Sequence, residues 1–158
     1  MTNSEKLRIS TKIQVAKSRE DVFQTITDRK KLSKFFISEA SSNLEVGKQI
    51  TWKFPEFKFV EFSIEVLRVE FPEIIVITWE GAENHITTVT FELTEIEKNQ
   101  TLVSVLEEGM QNDAEGIAWL GRNSEGWANF LACLKAYLEY GINLREGAFE
   151  FLRNDQKP

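Results

Sequence analysis

The stretch GWANFLACLKAYLEYG, residues 126–141, has the spacing of a long helix with one apolar face. At about 100° per residue its large side chains fall on one narrow stripe, whereas Ala132, Lys135 and Glu139 lie opposite. The stripe consists of Trp127, Phe130, Leu131, Leu134 and Leu138. Such a face needs a second apolar layer to cover it, which the rest of the chain must supply.

Composition and charge exclude several classes of protein. The 158 residues carry 19 basic and 25 acidic side chains, and a formal charge of −6 disfavours binding to nucleic acid. A lone cysteine cannot form an internal disulfide, which favours a reducing compartment. Because no apolar run resembles a signal peptide or a membrane span, we expect a cytoplasmic protein. We also expect one domain over residues 1–158, with a core of about 9–141.

The first part of the chain predicts a strand followed by two short helices. Residues 9–15 alternate apolar and polar side chains, as a half-buried strand does. Ser18 and Asp21 approximate a capping box at the start of the first helix. Asp28 can cap the second, RKKLSKFF, whose apolar side chains Leu32, Phe35 and Phe36 share a face.

From about residue 38 to residue 108 the pattern is strand after strand, joined by short turns. The apolar phase changes between Val66 and Leu67, which predicts a β-bulge that lets a long strand curl. Such short links indicate an antiparallel meander and not parallel βαβ units. The order of elements therefore predicts an α+β fold, in which a curved antiparallel sheet of about six to seven strands is covered by the long helix.

The C-terminal part is predicted to be helical from residue 112 to residue 141. GRNS at 121–124 could end one helix and cap the next, and Gly141 suits the position after the last helical residue. The tail, residues 142–158, has apolar side chains that can pack back on the domain. Its last five residues are expected to be disordered.

Five colinear stretches carry a family resemblance. They are AKSREDVFQTITDRKKLSKFF, LEVGKQITWKF, EIIVITWEG, TTVTFELTEIEKNQTLVSVLEEG and EGWANFLACLKAYLEYG. Together they resemble the START-like, Bet v-like helix-grip superfamily, also called SRPBCC. Within it they are most similar to homologues of the activator of the ninety-kilodalton heat-shock-protein ATPase. The resemblance covers roughly residues 9–141.

The resemblance implies an elongated apolar cavity between the sheet and the long helix. Many relatives carry lipids, hormones or polyketides there, and some are enzymes. The eukaryotic activator instead binds its chaperone and stimulates ATP hydrolysis. The chain departs from the family at Phe35 and Phe36, where a tryptophan is usual, and at PEFKFVE, residues 55–61, where a glycine turn is common. We expect no separate chaperone-binding domain before residue 9, and this expectation disfavours a direct transfer of co-chaperone activity.

The aromatic side chains are the main candidates for a binding site, because large rings must contact either a core or a ligand. They form either a plain core or the lining of a ligand-sized void. The predicted lining is Phe35, Phe36, Trp52, Phe54, Phe62, Trp79, Phe91, Trp119, Trp127, Phe130, Leu131 and Leu134.

Two charged residues could supply polar contacts at the mouth of that cavity. Glu107 ends the last strand and could hydrogen-bond a ligand, or it could be an exposed strand end. Arg122 could meet an anionic head group, or it could pair locally. We interpret His85 as a solvated turn residue, not a general base. Cys133 is interpreted as a small buried residue, not a nucleophile.

These patterns leave three functional hypotheses. The first is non-enzymatic binding of a small hydrophobic or amphipathic, lipid-like molecule in the cavity. The second is a chaperone-activator-like interaction through an exposed apolar patch around Phe57 and Phe59. The third is a cyclase- or hydrolase-like enzyme that uses cavity carboxylates or tyrosines. No catalytic residue is assigned, and we expect neither a metal nor a cofactor because no ligand spacing or nucleotide motif is present.

Overall fold

Seven antiparallel strands and one long helix form most of the computed structural model, which describes residues 5–156 and the side chains of residues 5–153. The elements are β1 (Leu7–Val15), α1 (Arg19–Thr27), α2 (Arg29–Leu32), β2 (Glu39–Ala40), β3 (Gln49–Lys53), β4 (Glu61–Glu70), β5 (Ile74–Ala82), β6 (His85–Glu97), β7 (Gln100–Met110), α3 (Ala114–Tyr140) and a 3₁₀ helix (Glu150–Gln156). The strands form one sheet in the order β1-β7-β6-β5-β4-β3-β2. This confirms the predicted α+β helix-grip architecture.

The two short helices begin where the sequence predicts. Ser18 Oγ accepts a hydrogen bond from the amide of Asp21 at 3.2 Å, and the Asp28 carboxylate accepts from the amides of Lys30 and Lys31 at 2.9 and 3.1 Å. The second helix is shorter than predicted, because α2 ends at Leu32. Phe35 and Phe36 follow it in a turn and are buried.

The predicted β-bulge in the long strand is confirmed. The pairing of β4 with β5 shifts between Val66 and Arg68, so that Leu67 has no partner in the ladder. Leu67 is about half exposed, whereas Val66 is buried and Val69 packs against the core again. Because of this extra residue, apolar side chains of the strand point into the core again after the bend.

The predicted break in the C-terminal helix is wrong, because α3 runs without interruption from Ala114 to Tyr140. Asp113 Oδ1 caps its start by accepting from the amide of Gly116 at 2.8 Å, and Gly141, with φ 64°, ends it. Trp119 and Trp127 are buried on either side of the GRNS segment and hold it helical. Tertiary packing therefore overrides a local stop signal.

The sheet covers the apolar stripe of α3. Four members of the stripe are buried and Leu138 is half-buried. The ring centroid of Phe130 lies 4.7 Å from the ring centroid of Phe36 and 5.7 Å from that of Phe91. Within residues 5–156, no helix is long and apolar enough to cross a bilayer.

Replacing Gly121 by alanine tests whether α3 is continuous. A Cβ at this position would meet no heavy atom within 4 Å. Gly121→Ala should therefore raise the free energy of unfolding by about 0.5–1 kcal/mol in urea denaturation, the usual gain for alanine over glycine inside a helix. The control Gly116→Ala should destabilise, because its Cβ would lie 1.9 Å from the carbonyl oxygen of Gln111. A loss of stability in Gly121→Ala would indicate an interrupted helix.

Candidate functional site

A cavity of about 270 Å³ lies between the sheet, α3 and the C-terminal tail. Its walls are mostly aromatic, with several polar side chains from α3 and the tail. The lining residues are Phe36, Phe54, Phe57, Phe62, Trp79, Arg122, Asn123, Glu125, Gly126, Trp127, Asn129, Arg145, Phe149, Phe151 and Leu152. A concave, largely aromatic site with a few polar groups is the usual form of a small-molecule site.

The cavity lies beside the apolar stripe of α3 and not beneath it. Arg122, Gly126 and Asn129 have the spacing i, i+4, i+7 and therefore share one face of the helix. Gly126 leaves space on that face, since an added Cβ would meet no heavy atom within 4 Å. Trp127, on the next face, is packed against other rings, with centroids of Trp79 and Phe91 each 5.6 Å away. The cavity thus opens on the flank of Trp127.

The predicted lining residues divide into two groups. Those that line the cavity are Phe36, Phe54, Phe62, Trp79 and Trp127, and Arg122 also lines it. The others are Phe35, Trp52, Phe91, Trp119, Phe130, Leu131 and Leu134; each is at most 2% exposed, and none of them lines this cavity. These residues form the packed core where α3 lies against the sheet. Sequence patterns identify large apolar residues but do not separate a core from a cavity wall.

Glu107 is buried beside the cavity and accepts four hydrogen bonds. Its Oε1 accepts from Trp127 Nε1 at 2.7 Å and from Asn123 Nδ2 at 3.1 Å. Its Oε2 accepts from Thr87 Oγ1 at 2.6 Å and from Trp79 Nε1 at 2.9 Å. The side chain has no solvent exposure, and all four donors are neutral. Glu107 therefore fixes the orientation of both indole rings in the cavity wall.

This arrangement differs from the role at the cavity mouth that the sequence suggests for Glu107. Both oxygens are occupied by the protein, so the carboxylate acts as an internal acceptor. The contact also needs a glycine on β5, because a Cβ at Gly81 would lie 2.4 Å from Glu107 Oε2 and 2.1 Å from Thr87 Oγ1. The carbonyl oxygen of Gly81 accepts a second bond from Asn123 Nδ2 at 3.0 Å.

Arg145 anchors the C-terminal tail over the cavity. Its guanidinium donates to both carboxylate oxygens of Glu56, at 2.9 and 3.1 Å, and this carboxylate is 4% exposed. The guanidinium carbon also lies 4.9–5.6 Å from the ring centroids of Phe36, Phe54 and Phe149, which is cation–π distance.

The anchored tail closes one side of the cavity with Phe149, Phe151 and Leu152. This confirms that the tail packs back on the domain. The disorder predicted for the last five residues is wrong for 154–156, because their backbone belongs to the 3₁₀ helix. Residues 157–158 lie outside the described residues.

The remaining sequence candidates lie away from the cavity wall. His85 begins β6, is partly exposed, and its Nε2 lies 3.5 Å from Glu115 Oε2. Cys133 is buried, and burial raises the pKa of its thiol, while the nearby Arg145 opposes this shift and Glu56 adds to it. The neutral thiol is therefore favoured over the nucleophilic thiolate. No group of three or more His, Cys, Asp or Glu residues in the described part of the chain could hold a metal ion.

The predicted surface patch is split between two environments. Phe59 is 96% exposed at the tip of the loop before β4, whereas Phe57 packs against the core and lines the cavity. Phe57 therefore belongs to the cavity wall, and only Phe59 of the two predicted residues is exposed at the surface.

The curved antiparallel sheet around a long C-terminal helix, with a cavity between them, defines a START-like helix-grip protein. Residues 16–139 match the model of a narrower family, described as Activator of Hsp90 ATPase homolog 1-like protein. The match covers well over half of the chain, so the protein belongs to that family. None of the curated proteins compared with the chain matches it.

Solved structures give the same fold. A Staphylococcus saprophyticus protein has 35% sequence identity and a TM-score of 0.75, over 88% of this chain and 96% of that chain. The Aha1 dimer from Colwellia psychrerythraea has 24% identity and a TM-score of 0.70, over 85% and 98% of the two chains. An HSP90 activator from Plasmodium falciparum has 23% identity and a TM-score of 0.66, over 85% and 96%. The last two similarities show the fold alone.

Glu107→Gln tests the role of the buried acceptor. A glutamine amide must turn its NH₂ group toward one pair of donors, so at least one indole N–H of Trp79 or Trp127 loses its acceptor. We expect a loss of about 1–3 kcal/mol in the free energy of unfolding, measured by urea denaturation. The control is Glu108→Gln, whose carboxylate is half exposed and pairs with Arg8 at the surface. It should change stability by at most about 1 kcal/mol. Equal effects of the two substitutions would contradict the assignment.

Arg145→Ala tests whether Arg145 holds the tail in place. Hydrogen–deuterium exchange at the amides of Ala148 and Leu152 should become at least roughly tenfold faster, because about 1.4 kcal/mol of local stability corresponds to that factor. Exchange in the centre of β6 and β7 should not change. The control Arg153→Ala removes an exposed arginine with a 3.5 Å contact to the Pro55 carbonyl oxygen and should have little effect. Equal exchange in both variants would show that Arg145 is not the anchor.

Proposed function

We propose that the protein binds a small apolar or amphipathic molecule, without catalysing a reaction on it, in the cavity beside Trp127. The observation that supports this most is the largely aromatic wall of the 270 Å³ cavity, which lies at the edge of the packed core between the sheet, α3 and the tail. Because the cavity is open to solvent on one side, an apolar ligand that enters it removes these aromatic surfaces from water, which is favourable. Family membership supports the same reading, because the fold is consistent with ligand binding as well as with chaperone activation.

The size of the cavity favours a compact ligand. Typical small-molecule sites enclose roughly 300–1,000 Å³, and this cavity lies just below that range. A long acyl chain would extend beyond it unless the tail moved aside. The ligand that fits best is therefore a compact ring system and not an extended lipid.

Arg122 is the polar group best placed to orient such a ligand. It is exposed, it lines the cavity, and it forms no hydrogen bond or ion pair within the described part of the chain. The other arginine of the wall, Arg145, already pairs with Glu56. An anionic group on the ligand would consequently find its partner at Arg122, at the open end of the site.

The second candidate function is chaperone activation, and Phe59 is the observation that favours it. Phe59 is 96% exposed at a loop tip and stands next to the 40% exposed Val60, so an aromatic and an aliphatic side chain are available there for contact with another protein. This function would use the surface and would not require an open cavity. It therefore predicts that blocking the cavity has no functional effect.

A pair of glycine substitutions on α3 tests ligand binding. The probe is 8-anilinonaphthalene-1-sulfonate, which combines an apolar ring system with an anionic group. It should bind the wild type with a fluorescence increase and a stoichiometry of one. Gly126→Phe should lower the affinity at least about tenfold, because its ring occupies the cavity. The control Gly121→Phe adds the same ring at an open helix position that does not line the cavity, and it should bind like the wild type.

Two results would contradict the proposal. The first is the absence of probe binding to the wild type, together with no co-purified mass in native mass spectrometry. If the protein then raised the ATPase rate of its ninety-kilodalton chaperone and Phe59→Ala abolished the effect, chaperone activation would replace ligand binding. The second is equal binding by both glycine variants, which would place the probe elsewhere.

A further inference from the structure

The sheet contains an internal gap between two neighbouring strands. The ladder between β4 and β5 ends at the pair Glu65↔Thr78, although β4 begins four residues earlier and β5 continues for four residues more. The outer edges stay paired, β4 with β3 as far as Lys53↔Glu61, and β5 with β6 as far as Ala82↔His85. Within the described residues, segments 61–64 and 79–82 therefore face each other without a ladder between them.

Open strand edges are binding surfaces for extended chains. Each edge carries backbone N–H and C=O groups that require partners, and an added strand can supply them. One of these groups is already satisfied, since the Gly81 carbonyl oxygen accepts from Asn123. Only every second residue of such a strand turns its N–H and C=O groups toward the gap, so each four-residue segment offers the groups of about two residues. Each segment spans about 13 Å of extended chain at roughly 3.3 Å per residue. The gap thus has the length for a short strand segment.

A groove of about 650 Å³ occupies this gap. Phe62 and Trp79 form part of its wall, and the half-exposed Val60 and largely exposed Ile86 lie at its rim. An inserted strand would point alternate side chains to opposite faces of the sheet. One set of its side chains would therefore meet the aromatic wall, which favours apolar residues at every second position.

The charge of the groove predicts which side chains an inserted strand would carry on its other face. Four carboxylates line it, those of Glu61, Glu65, Glu80 and Glu83, and Arg122 is the single basic lining residue. Glu65 and Glu83 form no ion pair within the described part of the chain, and the contact of Glu61 with Lys53 is long, at 3.7 Å. Such a groove attracts positive charge.

We propose that the groove between β4 and β5, the β4–β5 groove, binds an extended segment of a partner protein in which apolar and basic residues alternate. The segment adds a short strand to the open edges. Its backbone gives the affinity, and its lysine or arginine side chains face the carboxylates. The site shares Phe62, Trp79 and Arg122 with the ligand cavity but does not depend on the cavity being occupied.

The test uses an acetylated and amidated hexapeptide of alternating valine and lysine, titrated into ¹⁵N-labelled protein. We expect a one-to-one complex whose amide shift changes are confined to residues 61–64, 79–82 and their immediate neighbours. A peptide with the same side chains and N-methylated backbone amides should bind at least about tenfold more weakly, because it cannot complete the strand pairing. A version with glutamate in place of lysine should not bind.

A pair of charge reversals separates the groove from the general negative charge of the protein. Glu65→Lys should weaken the hexapeptide about three- to tenfold, as expected for exposed charge pairs. The control Glu92→Lys makes the same change at an exposed position of β6 outside the groove and should leave the affinity unchanged.

Any of four results would overturn the proposal. They are no binding of the hexapeptide, equal binding of the N-methylated peptide, equal weakening by both charge reversals, or dimerisation of the protein that the peptide reverses. The last result would identify a second copy of the chain as the occupant.

Discussion

The carboxylate of Glu107 is the interaction on which the candidate site depends. A buried carboxylate is costly unless its oxygens are hydrogen-bonded. Here β5, β6 and α3 each contribute donors, so one side chain on β7 joins three strands and the helix. Two of the donors are the indoles of Trp79 and Trp127. Satisfying the carboxylate therefore also determines the shape of the cavity wall.

The cavity exists because the large rings next to it are held in place from several directions. Trp127 contacts Trp79, Phe91 and Phe130 at centroid distances of 5.6 Å while its nitrogen is bonded to Glu107. The ring consequently cannot turn into the space above Gly126 without losing a buried hydrogen bond. The tail encloses that space from the other side. A fixed wall, a glycine and an anchored tail together leave a void that a ligand could fill.

Local patterns predicted the fold, but the site depends on contacts between distant residues. The stripe on α3, the caps at Ser18 and Asp28 and the bulge at Leu67 follow from periodicity and capping chemistry, which involve a few neighbouring residues. The predicted break at 121–124 was wrong because Asn123 bonds to Gly81 and Glu107 and does not cap a helix. In the sequence, Gly126 cannot be distinguished from any other small, exposed residue of a helix, so its place in the cavity wall could not be predicted. Arg145 and Glu56 are 89 positions apart, and nothing in either segment indicates the pairing.

The four tryptophans report directly on whether Glu107 holds the wall of the cavity. Trp79 and Trp127 donate their indole N–H groups to Glu107, whereas the N–H groups of Trp52 and Trp119 are buried and have no hydrogen-bond partner among the described residues. In a ¹⁵N–¹H spectrum, we expect two of the four indole protons to be shifted clearly downfield because they are hydrogen-bonded to a carboxylate, and we expect these two to be assigned to Trp79 and Trp127. Four indole protons with similar shifts, or a downfield pair that includes Trp52 or Trp119, would contradict the claim that Glu107 holds the wall of the cavity.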